Sequence, residues 1–160
     1  IKIMKKNNED NKFTKMQKGF YNKGTSNHQE HNENIDYWNI LLADLKESKK
    51  WKGKNALDFG SGMGRNVSNM INLCDWNRVD GIDISQGNIE QCKKLYAKQK
   101  SNWYCNNGVD LSELKSEDYD FAMSTITFQH IPVHEIRFNL LTEIYRVLKP
   151  KAVLSIQIPF

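Results

Sequence analysis

Residues 55–66 read Asn55-Ala56-Leu57-Asp58-Phe59-Gly60-Ser61-Gly62-Met63-Gly64-Arg65-Asn66, and the rest of the chain is arranged around them. A short apolar run (Ala56, Leu57, Phe59) is interrupted only by Asp58 and then breaks into glycines at alternate positions, Gly60, Gly62 and Gly64. Behind them Val67, Met70, Ile71 and Cys74 recur at three- and four-residue spacings, which predicts a helix. Strand, glycine turn, helix is how a nucleotide-binding α/β unit begins. A tight turn that binds nothing is the competing explanation of the same residues.

The chemistry follows from the backbone. Glycine reaches dihedral angles that other residues avoid, so the chain turns sharply off the strand end. Without Cβ atoms the turn lets a ligand lie on the main chain, toward which the free amides of the next helix point. The dinucleotide fingerprint is Gly-x-Gly-x-x-Gly. Here the spacing is Gly-x-Gly-x-Gly, and Asp58 stands two residues before the first glycine. A carboxylate at that strand end repels a pyrophosphate and suits an ammonium or sulfonium. Leu57-Asp58-Phe59-Gly60-Ser61-Gly62-Met63-Gly64 resembles motif I of the class I S-adenosylmethionine-dependent methyltransferases.

Downstream residues extend the pattern. A second strand is expected over Arg78–Ile84, ending on Asp83, 19 residues after Gly64. An acid about 20 residues on is placed to accept hydrogen bonds from ribose hydroxyls. The resemblance gives Asp83 that role for S-adenosyl-L-methionine and puts Ile84 on the adenine. A helix cap is the alternative for Asp83, although Ser85 is the better cap. A third strand is expected near Asn102–Cys105, and the resemblance takes Asp110, after it, to the adenine edge; a plain turn aspartate fits as well. A fourth strand over Tyr119–Thr125 leads into Ser124–His130, which should border the methyl-donor site, with Thr125 among its contacts. His134–Leu148 has a helical apolar face. Its end, Glu143-Ile144-Tyr145-Arg146-Val147-Leu148-Lys149-Pro150, resembles the family's Glu-x-x-Arg-Val-Leu-Lys-Pro segment. Lys151 and Ala152 stand where that family usually has two glycines, which predicts a turn held at some cost. A fifth strand is expected over Ala152–Ile158.

The fold expected is therefore α/β, a doubly wound, mostly parallel sheet of the Rossmann-like methyltransferase type, with the family's last strands apparently missing. Residues 1–34 are expected to form a partly disordered lead-in or lid, and residues 35–160 the S-adenosylmethionine-binding domain. Phe13, Met16, Phe20 and Tyr21 fall at helical spacing within the lead-in, and Ile35–Lys50 reads as a helix.

The bulk properties narrow the class. One hundred and sixty residues suit one domain, and no apolar run is long enough for a membrane span. The lysine- and asparagine-rich start lacks a signal-peptide core, and three widely spaced cysteines form no Cys-x-x-Cys pair, so a reducing cytoplasmic setting is expected. No metal is expected: His28 and His31 sit three apart without further ligands. The net charge of +4 comes largely from early lysines diluted by asparagine. A solvated lead-in is favoured over a nucleic-acid arm, and the lysines keep a protein or RNA acceptor open as the alternative; no membrane is expected, and the oligomeric state is not written in the sequence.

Methyl transfer needs a donor cradle, room for an acceptor and, for some acceptors, a base. The cradle expected is Asp58, Gly60, Ser61, Gly62, Gly64, Asp83, Ile84, Asp110 and Thr125. His130 is the first candidate base, since an imidazole exchanges protons near neutral pH; packing before Pro132 is its rival role. Tyr21, His28 and His31 join it if the N-terminal segment folds over the site. No Asn-Pro-Pro-Tyr or Pro-Cys follows the fourth strand, so a small-molecule acceptor with an oxygen or nitrogen nucleophile is favoured. A non-catalytic S-adenosylmethionine-binding module or partner subunit, and an NAD-dependent oxidoreductase, remain the alternatives.

Overall fold

A computed structural model of the chain describes residues 8–23, 45 and 48–158. In order these are α1 (Asn8–Lys23), a 3-10 turn (Ser48–Trp51), β1 (Asn55–Phe59), α2 (Arg65–Leu73), β2 (Arg78–Asp83) and α3 (Gln86–Leu95). There follow β3 (Trp103–Cys105), β4 (Tyr119–Ser124), a second 3-10 turn (Phe128–His130), α4 (His134–Val147) and β5 (Leu148–Ile156). The five strands make one sheet in the order β3-β2-β1-β4-β5, and every neighbouring pair is parallel. The order reverses between β1 and β4, which sets the ligand crevice at their carboxyl ends.

Side-chain alternation sorts the core into two layers. Ala56, Val79, Phe121 and Met123 point to one face, where Val67 and Met70 of α2 and Ile89 and Cys92 of α3 cover them. Leu57, Phe59, Ile82 and Ala122 point to the other, under Ile136, Leu140, Ile144 and Val147 of α4. Both faces of a parallel sheet are thereby buried, which explains why its strands read as nearly continuous apolar runs. Asp58 shares its face with Ala56 and is carried into the α2 layer, fully buried.

The strand and helix limits fall within a few residues of those expected, with one larger difference. β5 begins at Leu148 rather than Ala152, because Tyr119 pairs with Leu148 and the register then slips before Phe121 meets Val153. Lys151 sits at that slip with φ 67°, the left-handed conformation the missing glycines predicted. The Glu143–Arg146 segment has a mechanical role: Arg146 donates to the carbonyls of Leu111 and Leu114, while Glu143 accepts from the Leu111 amide. The pair straps the link between β3 and β4 onto α4.

The expected helix over Ile35–Lys50 lies outside the described residues, apart from buried Leu45 and the 3-10 turn. His28 and His31 also lie outside them.

Candidate functional site

β1 ends at Phe59, and the amides of Gly60 and Ser61 both donate to the Ile82 carbonyl on β2 (2.8 and 3.1 Å). This ties the glycine turn to the neighbouring strand. The three glycines then serve different needs. A Cβ on Gly60 would lie 2.0 Å from Thr127 Oγ1, so the loop after β4 can close on the turn only against a bare backbone. At Gly64 the obstacles are aromatic: the stacked rings of Tyr96 and Trp103 would each sit 2.6 Å from a Cβ. Nothing lies within 4 Å of the corresponding position on Gly62, so the turn is open at its middle.

Polar side chains buried around this turn keep unused hydrogen-bonding capacity. Asn66, the second residue of α2, donates through Nδ2 to Asp58 Oδ1 and Thr125 Oγ1, both at 3.1 Å. It bridges the ends of β1 and β4 across the switch point. Asp58 Oδ2, Ser61 Oγ, Asn66 Oδ1 and Asn88 Oδ1 are buried with no hydrogen-bond partner. An unpaired buried carboxylate oxygen is costly. Burial, aided by the charge of Asp83 and opposed by Asn66 and Arg65, pushes the Asp58 carboxyl up to about 7.

Asp83 also carries main-chain bonds of its own. Its Oδ2 accepts from the Gly62 amide and its Oδ1 from the Ser85 amide, both at 2.8 Å. The acid thus braces the glycine turn and the start of α3, and the lone pairs left on each oxygen are what a sugar hydroxyl could use. Burial raises its pKa, and the bonds from Ser85 and Gly62 oppose that rise. Ser85 is the helix cap, accepting from Asn88 N.

Ile84 lies beside this acid, with its side chain against the backbone of Gly108. Asp110 Oδ1 accepts from the Ser112 amide, and its charge acts on Glu143 and Arg146. His130 closes the 3-10 turn after β4 and is exposed, with Gln129 Nε2 3.2 Å from its Nε2. Tyr21 of α1 meets its ring edge-on at 6.1 Å between centroids.

Asn66 is the residue that sequence reasoning missed. Its signal was a polar side chain beside Val67 on a helix whose other inward positions are apolar. Among the described residues, no group of three His, Cys, Asp or Glu could hold a metal ion, and no helix is long and apolar enough to cross a membrane. A separate cleft of about 680 Å³, lined by Lys52, Cys74, Trp76 and Lys100, opens at the amino ends of the strands. It is remote from the switch point.

The donor set suits a small cationic group with a sugar: an unpaired buried carboxylate oxygen, an open turn and a strand-end acid. The family model described as "Methyltransferase domain" matches residues 57–156. No curated protein matches the chain. Solved structures share the fold. A putative sarcosine dimethylglycine methyltransferase from Galdieria sulphuraria has a TM-score of 0.64 at 20% identity, over 76% of this chain and 46% of that one. Phosphoethanolamine N-methyltransferase 2 of Haemonchus contortus, in complex with S-adenosyl-L-methionine, has a TM-score of 0.60 at 26% identity, over 74% and 27%. A complex of the Haloferax volcanii Trm112 methyltransferase activator with a putative methyltransferase gives 0.62 at 18%, over 94% and 60%. The chain spans less than two thirds of the length of each.

Proposed function

The chain belongs to the methyltransferase-domain family, whose methyl donor is S-adenosyl-L-methionine, and from that premise we propose that it methylates an oxygen or nitrogen of a small molecule. The observation that carries the reading is Asp58 Oδ2, buried and unpaired beside an open glycine turn. Asp58 would hold the cationic methionine end, the Gly60–Gly64 turn the donor's body, and Asp83 with Ile84 the nucleoside. When bound, the donor supplies a methyl group already activated by a sulfonium. The protein's task is then alignment and desolvation. His130, on the rim, takes the proton that the acceptor's hydroxyl or amine gives up as its new bond to carbon forms. Thr125 and Asn66 keep Asp58 in place. Amine acceptors have the support of the named relatives, so sarcosine, dimethylglycine and phosphoethanolamine lead the panel. The setting proposed is the cytoplasm, in keeping with three free thiols.

Calorimetry and turnover test the reading together. The chain should bind S-adenosyl-L-methionine and S-adenosyl-L-homocysteine. Asp83→Ala should weaken both by more than tenfold, since a lost bond to a charged acceptor costs roughly 1.5–3 kcal/mol. His130→Ala should slow turnover on whichever acceptor reacts while leaving donor affinity intact. No binding of either ligand at millimolar concentration overturns the proposal, and equal turnover clears His130 of the base role.

A further inference from the structure

α1 is an amphipathic helix docked the wrong way round for a core element. Its apolar residues Phe13, Met16 and Phe20 are exposed, at 40%, 60% and 72%. The side facing the sheet is Thr14, Gln17, Lys18 and Tyr21, at the three- and four-residue steps of one helical face. Burial of apolar surface therefore does not account for where this helix rests. Two sets of hydrogen bonds and one close steric contact do, and they fall on the loops after three successive strand ends.

After β2, the Ser85 hydroxyl donates to Asn22 Oδ1 at 2.8 Å, and the Gly87 amide approaches the same oxygen at 3.5 Å. After β3, buried Thr14 packs against the backbone of Gly108, where a Cβ would stand 2.8 Å from its methyl. After β4, Gln17 Nε2 donates to the carbonyl of His130. Between these anchors Tyr21 is half-buried, its ring edge against His130 and its phenol within the field of Asp83. Burial and that carboxylate both push the phenol's pKa up, so the hydroxyl stays protonated and available as a donor.

We propose that α1 is a wall of the donor site: Tyr21 closes over the ribose end of the cleft beside Asp83, and Asn22 latches the helix to Ser85. The inference rests on the donor reading and adds a binding residue, Tyr21, and a positioning residue, Asn22, from a segment outside the family match at 57–156. A polar helix face is what a polar ligand requires of its cover. The Ser85 hydroxyl caps α3 and holds Asn22 while its amide donates to Asp83, so acid and helix α1 share one residue as anchor.

Titrating the full chain with S-adenosyl-L-homocysteine tests this without knowledge of the acceptor. Tyr21→Ala and Asn22→Ala should each raise Kd at least fivefold with unchanged far-ultraviolet circular dichroism. In the unsubstituted chain, the α1 amides should exchange more slowly with deuterium when the ligand is present, a readout independent of how either variant folds. A Kd that falls or stays within twofold in both variants, together with α1 exchange that ignores the ligand, overturns this inference alone. Failure of the unsubstituted chain to bind S-adenosyl-L-homocysteine overturns the donor reading, and this one with it.

Discussion

Asp58 is where one residue's chemistry sets the behaviour of the site. It is fully buried, one oxygen is held by Asn66 and the other has no partner. Its pKa, raised from 3.8 to about 7, means the folded state binds its proton over a range in which the unfolded chain has lost it. The stability this group contributes is therefore fully present below about pH 4 and declines as pH rises toward 7. At about 1.4 kcal/mol per pH unit the loss is on the order of 4 kcal/mol. Denaturation across pH 4–8 should show that slope, and Asp58→Asn should reduce it to the part that Asp83, also raised by burial, contributes. A cationic ligand reverses the preference by favouring the carboxylate. Affinity for S-adenosyl-L-methionine should therefore rise between pH 6 and 8, by up to about tenfold per unit below the pKa, with proton release on binding. Affinity independent of pH would mean that Asp58 does not meet the cation. The acid's position was readable from the sequence. Its missing partner was not, because that depends on which neighbours the folded chain brings within reach.

At the scale of elements, the strap between α4 and the β3–β4 link separates scaffold from site. Arg146 donates to Leu111 O at 2.8 Å, to Leu114 O at 3.1 Å and to both carboxylate oxygens of Glu143. Replacing Arg146 by Leu strands those two carbonyls and should cost about 1–3 kcal/mol, lowering Tm by several degrees. Donor affinity should stay within about twofold, because Asp58, Gly62 and Asp83 lie on other elements. A large rise in Kd without loss of stability would place the strap inside the site. The Glu-x-x-Arg spacing was legible as a family segment, but its fastening role was not. Likewise the spacing of Phe13, Met16, Phe20 and Tyr21 predicted the helix but not which of its faces turns inward. Periodicity reports that a helix has two faces; the surface it meets decides which one turns inward.

For the whole molecule, the proposed donor site draws on the carboxyl ends of β1, β2 and β4, so filling it should stabilise the fold as a unit. S-adenosyl-L-homocysteine at 100 times its Kd should add about 2.7 kcal/mol and raise Tm by roughly 5–10 °C. A Tm that does not move despite measured binding would mean that the ligand is held equally by the unfolded chain. What the sequence determined by itself was the order of strands and helices, the glycine turn, the acid after β2 and the strained turn at Lys151. These rest on local backbone sterics and on alternation, which neighbouring residues dictate. Only the tertiary structure decided that Asn66 joins Asp58 to Thr125, that Asp83 grips the turn, that Asp110 takes the Ser112 amide, and that α1 lies polar side down. Each of those depends on groups far apart in the chain competing for the same hydrogen bonds, and such competition is resolved only when the sheet has closed and water has left.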